Sequence, residues 1–228
     1  MKVNLISVVI PVHKIQKNFS KVRQQIHLAK TPIEIIYVID DKLGNDIIQT
    51  TTSNEQILRV HNLGRGYMFK EGITHIKGDV ILFLHSDTQL PKNWDISIIH
   101  AMEDEKVIGG GFSLQFDINN SYLTLSLKII AILVKFRKVL SGDRAIFLRF
   151  HPFKKYLQIL DVPIMEDIKL SNWMRKHGKV IILKESVVTS ADAFIKNGLL
   201  HQTWKIIKCM LLHKVGRDPQ KIYNYYYS

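Results

Sequence analysis

The first half of this chain is built around four short runs of aliphatic, largely β-branched residues, and each run stops at polar side chains. Residues 5–10 (Leu-Ile-Ser-Val-Val-Ile) end at Pro11, and residues 33–39 end at Asp40-Asp41. Residues 57–60 lead into His61-Asn62 and the turn Gly64-Arg65-Gly66, while residues 80–84, the most apolar run, stop at His85-Ser86-Asp87. Runs this short and this apolar read as strands buried on both faces. Between them, Phe19, Val22, Ile26 and Ala29 recur at helical spacing, and Met68, Phe69 and Ile73 mark a second helix. Strands alternating with crossover helices predict an α/β fold with a mostly parallel central sheet flanked by helices.

The second half is less regular. A strand is expected over 107–116, opening on Gly109-Gly110-Gly111, where backbone must approach something closely. A helix is expected over 122–140, a strand over 142–149, a helix over 163–177, a strand over 180–183 and a helix over 198–215. Repeats, low-complexity tracts and linkers are absent, so residues 1–228 read as one domain. Hydrophobic residues at 46% and charged residues at 23% are the mix of a globular protein. A single cysteine, Cys209, excludes an intramolecular disulfide and a multi-cysteine metal site. With no secretory leader and no long uncharged apolar stretch, the expectation is a cytoplasmic protein.

In open α/β sheets, ligands bind beyond the carboxyl ends of the strands. Pro11 and His13 follow the first run, Asp40 and Asp41 the second, Arg65 the third, and His85, Ser86 and Asp87 the fourth. A carboxylate there can hydrogen-bond a base or ribose, or hold a divalent cation through oxygen. Aspartate also favours turns and caps in its own right. Convergence of Asp40 and Asp87 with His85 and Arg65 tips the balance toward a ligand site. Glu166-Asp167 opens a helix, where acid offsets the helix dipole, yet a carboxylate beside a crevice also suits a general base. Beside Asp87, His85 is a candidate metal partner. Neither a GxGxxG turn after the first strand nor a P-loop is present.

Ser7-Val8-Val9-Ile10-Pro11-Val12, then Asp40, then residues 78–88 ending in His85-Ser86-Asp87-Thr88, then Met165-Glu166-Asp167 resemble family 2 glycosyltransferases of the GT-A fold. The subgroup with His-Ala-Asp-Thr in place of Asp-x-Asp is similar also at Gly109-Gly110-Gly111-Phe112, Gly142-Asp143-Arg144, Pro163-Ile164 and Val187-Val188-Thr189-Ser190-Ala191. The resemblance implies inverting transfer of a sugar from a nucleotide diphosphate donor to an acceptor hydroxyl or phosphate. It implies that Asp40 contacts the donor's base or ribose, and that Asp87 with His85 holds a Mg2+ or Mn2+ ion on the diphosphate. Asp167, or its neighbour Glu166, would be the base. His85 stands where relatives carry an acid, which leaves fewer oxygen ligands for a hard cation. Asp192-Ala193 stands where that subgroup carries basic residues, so Arg65, Arg144 or Arg175 must meet phosphate. Asp41-Lys42 replaces a small pair beside the base-contacting aspartate, and Gly110 and Gly111 are further substrate-binding candidates.

On the same resemblance, residues 1–112 take the nucleotide and residues 113–228 shape the acceptor side. The first segment holds 13 Lys and Arg against 12 Asp and Glu, the second 19 against 8. Such a basic acceptor side suits an anionic or lipid-linked acceptor and peripheral contact with the inner face of a membrane. The expected helices over 122–140 and 198–214 set Lys and Arg among apolar residues, as interfacial helices do and as ordinary core helices also do. Two alternatives stand beside the enzyme: an inactive relative that only binds a nucleotide sugar, and a basic nucleic-acid-binding protein. The second lacks any recognisable motif or aromatic stacking platform, so no nucleic acid is expected.

Overall fold

The computed structural model describes residues 3–44, 48–61, 64–117 and 140–228. In chain order the elements are β1 (Ile6–Val12), α1 (Phe19–His27), β2 (Ile33–Asp40), β3 (Glu55–Val60), α2 (Arg65–Ile73), β4 (Val80–Phe83), α3 (Trp94–Ala101), β5 (Val107–Phe116), β6 (Ile146–Arg149), α4 (Phe150–Phe153), α5 (Glu166–His177), β7 (Lys179–Thr189), α6 (Asp192–Asn197), α7 (Leu199–Lys214) and α8 (Pro219–Tyr227). The sheet order is β3-β2-β1-β4-β6-β5-β7. Every strand runs the same way except β6, which is antiparallel to β4 and β5. This is the mostly parallel, helix-flanked sheet that the alternating pattern predicts.

Strand side chains alternate between two cores. Ile6, Val8, Ile10 and Val12 pack with Phe19, Val22 and Ile26 of α1 and with Trp94 and Ile98 of α3. Val9, Ile36 and Val38 face the other way, onto Met68, Phe69 and Ile73 of α2 and Leu170, Trp173 and Met174 of α5. Burial on both faces is why these runs are apolar without alternation.

The chain steps outward from β1 through β2 to β3, then returns to place β4 on the other side of β1. That junction is the switch point where such sheets open. Pro11 sets where the opening begins. The Leu84 N–H donates to the Val9 carbonyl at 3.1 Å, so the odd residues of β1 turn their backbone toward β4. The next rung would need an N–H on residue 11, and proline has none. The β1–β4 ladder ends at Val9 and Phe83, whereas β1 continues along β2 to Val12 and Ile39. Pro11 therefore does not end β1, as the sequence reading has it; it ends one of the two ladders and lets β4 part from β1.

Other boundaries shift for identifiable reasons. Residues 142–149 are not one strand: Gly142–Arg144 form a 3-10 turn, and Ala145 takes a left-handed φ of 47° before β6 starts. The helix expected from 163 begins at Glu166, because Met165 before it has φ 67°. The strand expected over 180–183 runs from Lys179 to Thr189, and the helix expected over 198–215 is α7, preceded by the short α6. The helix expected over 122–140 lies outside the described residues as far as residue 139.

One buried polar cluster anchors β3. The Glu55 carboxylate accepts from Tyr37 Oη at 2.9 Å, from Arg23 Nη2 at 3.0 Å and from the Thr51 N–H, with His27 Nε2 also at 3.0 Å. Burial alone would raise the Glu55 pKa, but these donors outweigh it and lower the value to about 2. A carboxylate with a depressed folded-state pKa stabilises above its unfolded value of 4.5 and loses that stabilisation as the pH falls toward 2. The loss amounts to on the order of 3 kcal/mol. Urea unfolding at pH 7, 4.5 and 3 should show the decline in the wild type, and Glu55→Gln should lower stability at pH 7 while flattening the acid limb.

Candidate active site

Where β1 and β4 part, a crevice of about 1070 Å3 opens. That lies at the upper end of ligand-pocket volumes, with room for two substrates. His13 enters one residue past β1, and His85, Ser86 and Asp87 follow β4. Because β6 is antiparallel, its first residue Ile146 pairs with Phe83, the last of β4. The turn that precedes β6, with Asp143 and Arg144, is thereby delivered to the same rim. The start of α5 supplies Asp167, α7 supplies His201 and Lys205, and the last turn of α8 supplies Tyr226 and Tyr227.

Two charge pairs organise the floor. His85 Nδ1 lies 3.2 Å from Asp143 Oδ1, and Phe69 stacks on the imidazole with centroids 6.1 Å apart. Burial opposes charge on the ring, but the hydrogen bond and charge of Asp143, with a smaller pull from Asp87, raise its pKa. Gly142 lies against the other edge of the ring, where a Cβ would come within 2.8 Å of Nε2. The Gly142 N–H donates to Asp167 Oδ2 at 3.0 Å. One turn thus holds both His85 and Asp167.

The second pair is Arg65 Nε and Glu166 Oε1, 3.2 Å apart. Glu166 is buried, and its carboxylate pKa is raised by burial and by Asp167, against the pull of Arg65. Burial also opposes the charge on Arg65, yet Glu166, with Asp167 and Asp143, more than restores it. The Gly64-Arg65-Gly66 turn exists for this approach. A Cβ on Gly66 would lie 2.1 Å from the Val162 carbonyl oxygen, one on Gly64 2.3 Å from Pro163 Cα, and Arg65 N–H donates to the Pro163 carbonyl at 3.1 Å. Glycine at both positions lets α2 dock on the loop before α5, which brings Arg65 to Glu166.

Of the residues singled out in the sequence, the crevice brings together Pro11, His13, Arg65, His85, Ser86, Asp87, Arg144 and Asp167. Burial at the crevice mouth, then the charges of Arg65 and His85, lower the His13 pKa. Arg144 is buried and donates to the Phe112 carbonyl at 3.2 Å, which commits part of its guanidinium to β5. Asp40 ends β2 in a turn, accepting from Lys42 N–H at 3.0 Å, and its charge offsets part of the lowering at His13.

Five further candidates do not line the crevice. Asp41 faces solvent, 3.6 Å from His61. Gly110 is closed in by the Ile181 carbonyl and Gly111 by Arg144, so the close approach read from these glycines is to neighbouring backbone and not to a ligand. Arg175 is exposed near the end of α5, hydrogen-bonded to Asn172, away from the crevice. Glu166 stands behind the crevice wall as the partner of Arg65. The sequence reading gave no role to Asp143, to Tyr226 and Tyr227, or to the basic rim of Lys14, Lys17, Lys196 and Lys205. Spacing could have flagged only Asp143, which lies in a motif already noted.

The resemblance implies a divalent cation. Among the described residues no group of three or more His, Cys, Asp or Glu is arranged to hold one. The crevice does present the carboxyl of Asp87, whose pKa is raised by burial and then by Asp143, against His85. Magnesium and manganese characteristically take one or two carboxylates and complete their shell with substrate phosphate and water. Carboxylates whose mutual repulsion a cation would relieve fit that donor set. His85 does not: Nδ1 is engaged by Asp143, and Nε2 is buried against Gly142.

Solved structures share this fold. The S. aureus TarS 1-349 structure in complex with UDP-GlcNAc superposes with a TM-score of 0.60 at 16% identity, covering 83% of this chain and 58% of that one. The mannosyltransferase PcManGT from Pyrobaculum calidifontis, in complex with GDP-Man and Mn2+, superposes with a TM-score of 0.61 at 12% identity, covering 92% and 61%. The chain thus spans about three fifths of the length of these structures, and the likeness is one of fold, the GT-A arrangement. No curated protein matches the sequence. The model of the family described as "Glycosyl transferase family 2" matches residues 7–159, from β1 through the crevice turn at Gly142–Arg144 and stopping short of Glu166. With that match across most of the chain, and a crevice at the switch point of a GT-A sheet, the protein belongs to glycosyl transferase family 2.

Proposed function

We propose that this protein transfers a sugar from a nucleoside diphosphate donor to an acceptor hydroxyl, with inversion at the anomeric carbon. The observation that carries the reading is the Gly142 turn, which fixes Asp167 by its N–H and abuts His85 by its Cα, so that the β4 tip and the start of α5 face one crevice. The ligands named for the two superposed structures, UDP-GlcNAc and GDP-Man, support a nucleotide sugar as donor. Asp40, at the end of β2, and His13, just beyond β1, take the nucleoside side. Asp87, with Asp143 near it, would hold Mg2+ or Mn2+, which when bound neutralises charge developing on the departing diphosphate. His85 is a positioning residue: its Nδ1 meets Asp143 Oδ1 at 3.2 Å, and its ring lies against Gly142.

In the reaction the acceptor oxygen attacks the anomeric carbon from the face opposite the diphosphate. The bond from that carbon to the diphosphate oxygen breaks, and the acceptor proton passes to Asp167. A single carboxylate suffices for such an inversion, because no covalent sugar–enzyme intermediate forms. Asp167 suits the role: it lines the crevice, and the Gly142 and Ile168 N–H groups orient its two oxygens. Glu166, sealed against Arg65, holds that cation at the crevice wall. The basic rim favours an acceptor that carries negative charge.

A thermal-shift screen of nucleotide sugars, with and without Mn2+, tests the donor directly, since a ligand that binds only the native state raises the melting temperature. Asp167→Asn should lower turnover by about 10²–10⁴-fold with donor binding nearly unchanged, and unaltered turnover would remove Asp167 from the base role. Asp143→Asn should weaken Mn2+-supported donor binding by about 10–100-fold, read by calorimetry. Full activity in excess chelator would exclude the cation.

A further inference from the structure

We propose that the outward face of α7 docks on a bilayer surface containing anionic lipid. Leu200, Trp204, Ile207 and Leu211 of α7, with Val215 just beyond it, are spaced by three or four residues and form one stripe along the helix. All are exposed, from 41% at Ile207 to 85% at Leu200, with Trp204 at 64%. The opposite face carries the contacts with the body of the protein. Gln202 and Cys209 are buried there, and Cys209 packs with Ile164, Met165 and Ile222. An amphipathic helix ordinarily turns its apolar stripe inward, and a contiguous apolar patch left in solvent marks an interaction surface.

Charge selects the partner. The helix contains no Asp or Glu; Lys208, over the Tyr225 ring at 4.4 Å, borders one side of the stripe, and Lys214 the other. An exposed Trp and Leu stripe edged by lysines, whose alkyl stems reach along an apolar surface while their ammonium groups stay in water, is the composition of a helix lying in a bilayer interface. Residues 113–228, which contain α7, hold 19 Lys and Arg against 8 Asp and Glu, so the surface favoured is anionic. Among the described residues no helix is long and apolar enough to cross a membrane, so α7 lies on the surface and does not span it. His201 and Lys205 of the same helix line the crevice. On the transferase reading, docking sets the crevice mouth at headgroup level, within reach of an acceptor carried on a lipid phosphate.

The full chain is mixed with vesicles of phosphatidylcholine, with or without phosphatidylglycerol, and followed by co-sedimentation and tryptophan emission. Trp94 and Trp173 are buried, so a shift of emission to the blue reports Trp204. Binding and the shift are expected with the anionic vesicles alone. Both should weaken with salt, and Lys214→Gln should cost roughly fivefold in partitioning. The double variant Leu200→Glu/Leu211→Glu should lose binding by tenfold or more, with its melting temperature unchanged. Should that variant fail to fold, Trp204→Ala alone must weaken binding. Failure of the wild type to bind, or binding that none of these substitutions alters, overturns the proposal. Self-association that the double variant abolishes, without vesicle binding, overturns it too and assigns the stripe to a second copy of the chain. None of these measurements needs turnover, so the transferase reading stands or falls separately.

Discussion

A parallel ladder closes only if each residue facing the neighbouring strand brings an N–H, and at the end of β1 that condition fails. Leu84 donates to Val9, Pro11 returns nothing, and β4 is released from β1 at the level where the chain also switches direction across the sheet. The polar residues at the tips of β1 and β4 reach the crevice through that release. His85, Ser86 and Asp87 leave the end of β4 free to turn, His13 leaves the end of β1, and the reversed strand β6 enters alongside Phe83 with Asp143 and Arg144 at its head. A central strand tolerates proline here because its other side still pairs with β2.

Electrostatically the crevice is layered. Asp87, Asp143 and Asp167 are half-buried in its lining, with Glu166 buried behind the wall against Arg65 and Asp143 beside His85. The outer lining carries Lys14, Lys17, Lys196 and Lys205. On the proposed transferase reading, the outer layer attracts a phosphate-bearing substrate, and removal of water from the interior strengthens each inner interaction. Arg65 is paired with Glu166 and Arg144 with the Phe112 carbonyl, so their positive charge is committed to the protein while the lysines of the rim face the opening.

The strand ends were legible because burial on both faces imposes an apolar run that stops abruptly, and Asp40, His85 and Asp87 fall at such stops. Less legible were features set by contacts distant in sequence. Asp143 pairs with His85 across 58 positions, and nothing local to either residue announces it. Gly110 and Gly111 read as substrate-binding candidates, but neighbouring strand backbone claims the space at Gly110: a Cβ there would come within 2.3 Å of the Ile181 carbonyl oxygen. Arg175 has the composition of a basic last helical turn, which suits the helix dipole as well as it suits phosphate. The apolar spacing of α7 was visible, whereas its exposure was not, because the same period serves a helix packed inward.

Two of the three non-glycine residues with left-handed φ among those described flank the crevice machinery: Ala145 follows Asp143 and Arg144, and Met165 precedes Glu166 and Asp167. Holding a residue with a Cβ in that region costs roughly 1–3 kcal/mol. Glycine at either place would relax the backbone and also widen what the adjoining turn can sample. The chain therefore carries internal tension beside its carboxylates, and selection for thermal tolerance alone would release that tension at the expense of their aim.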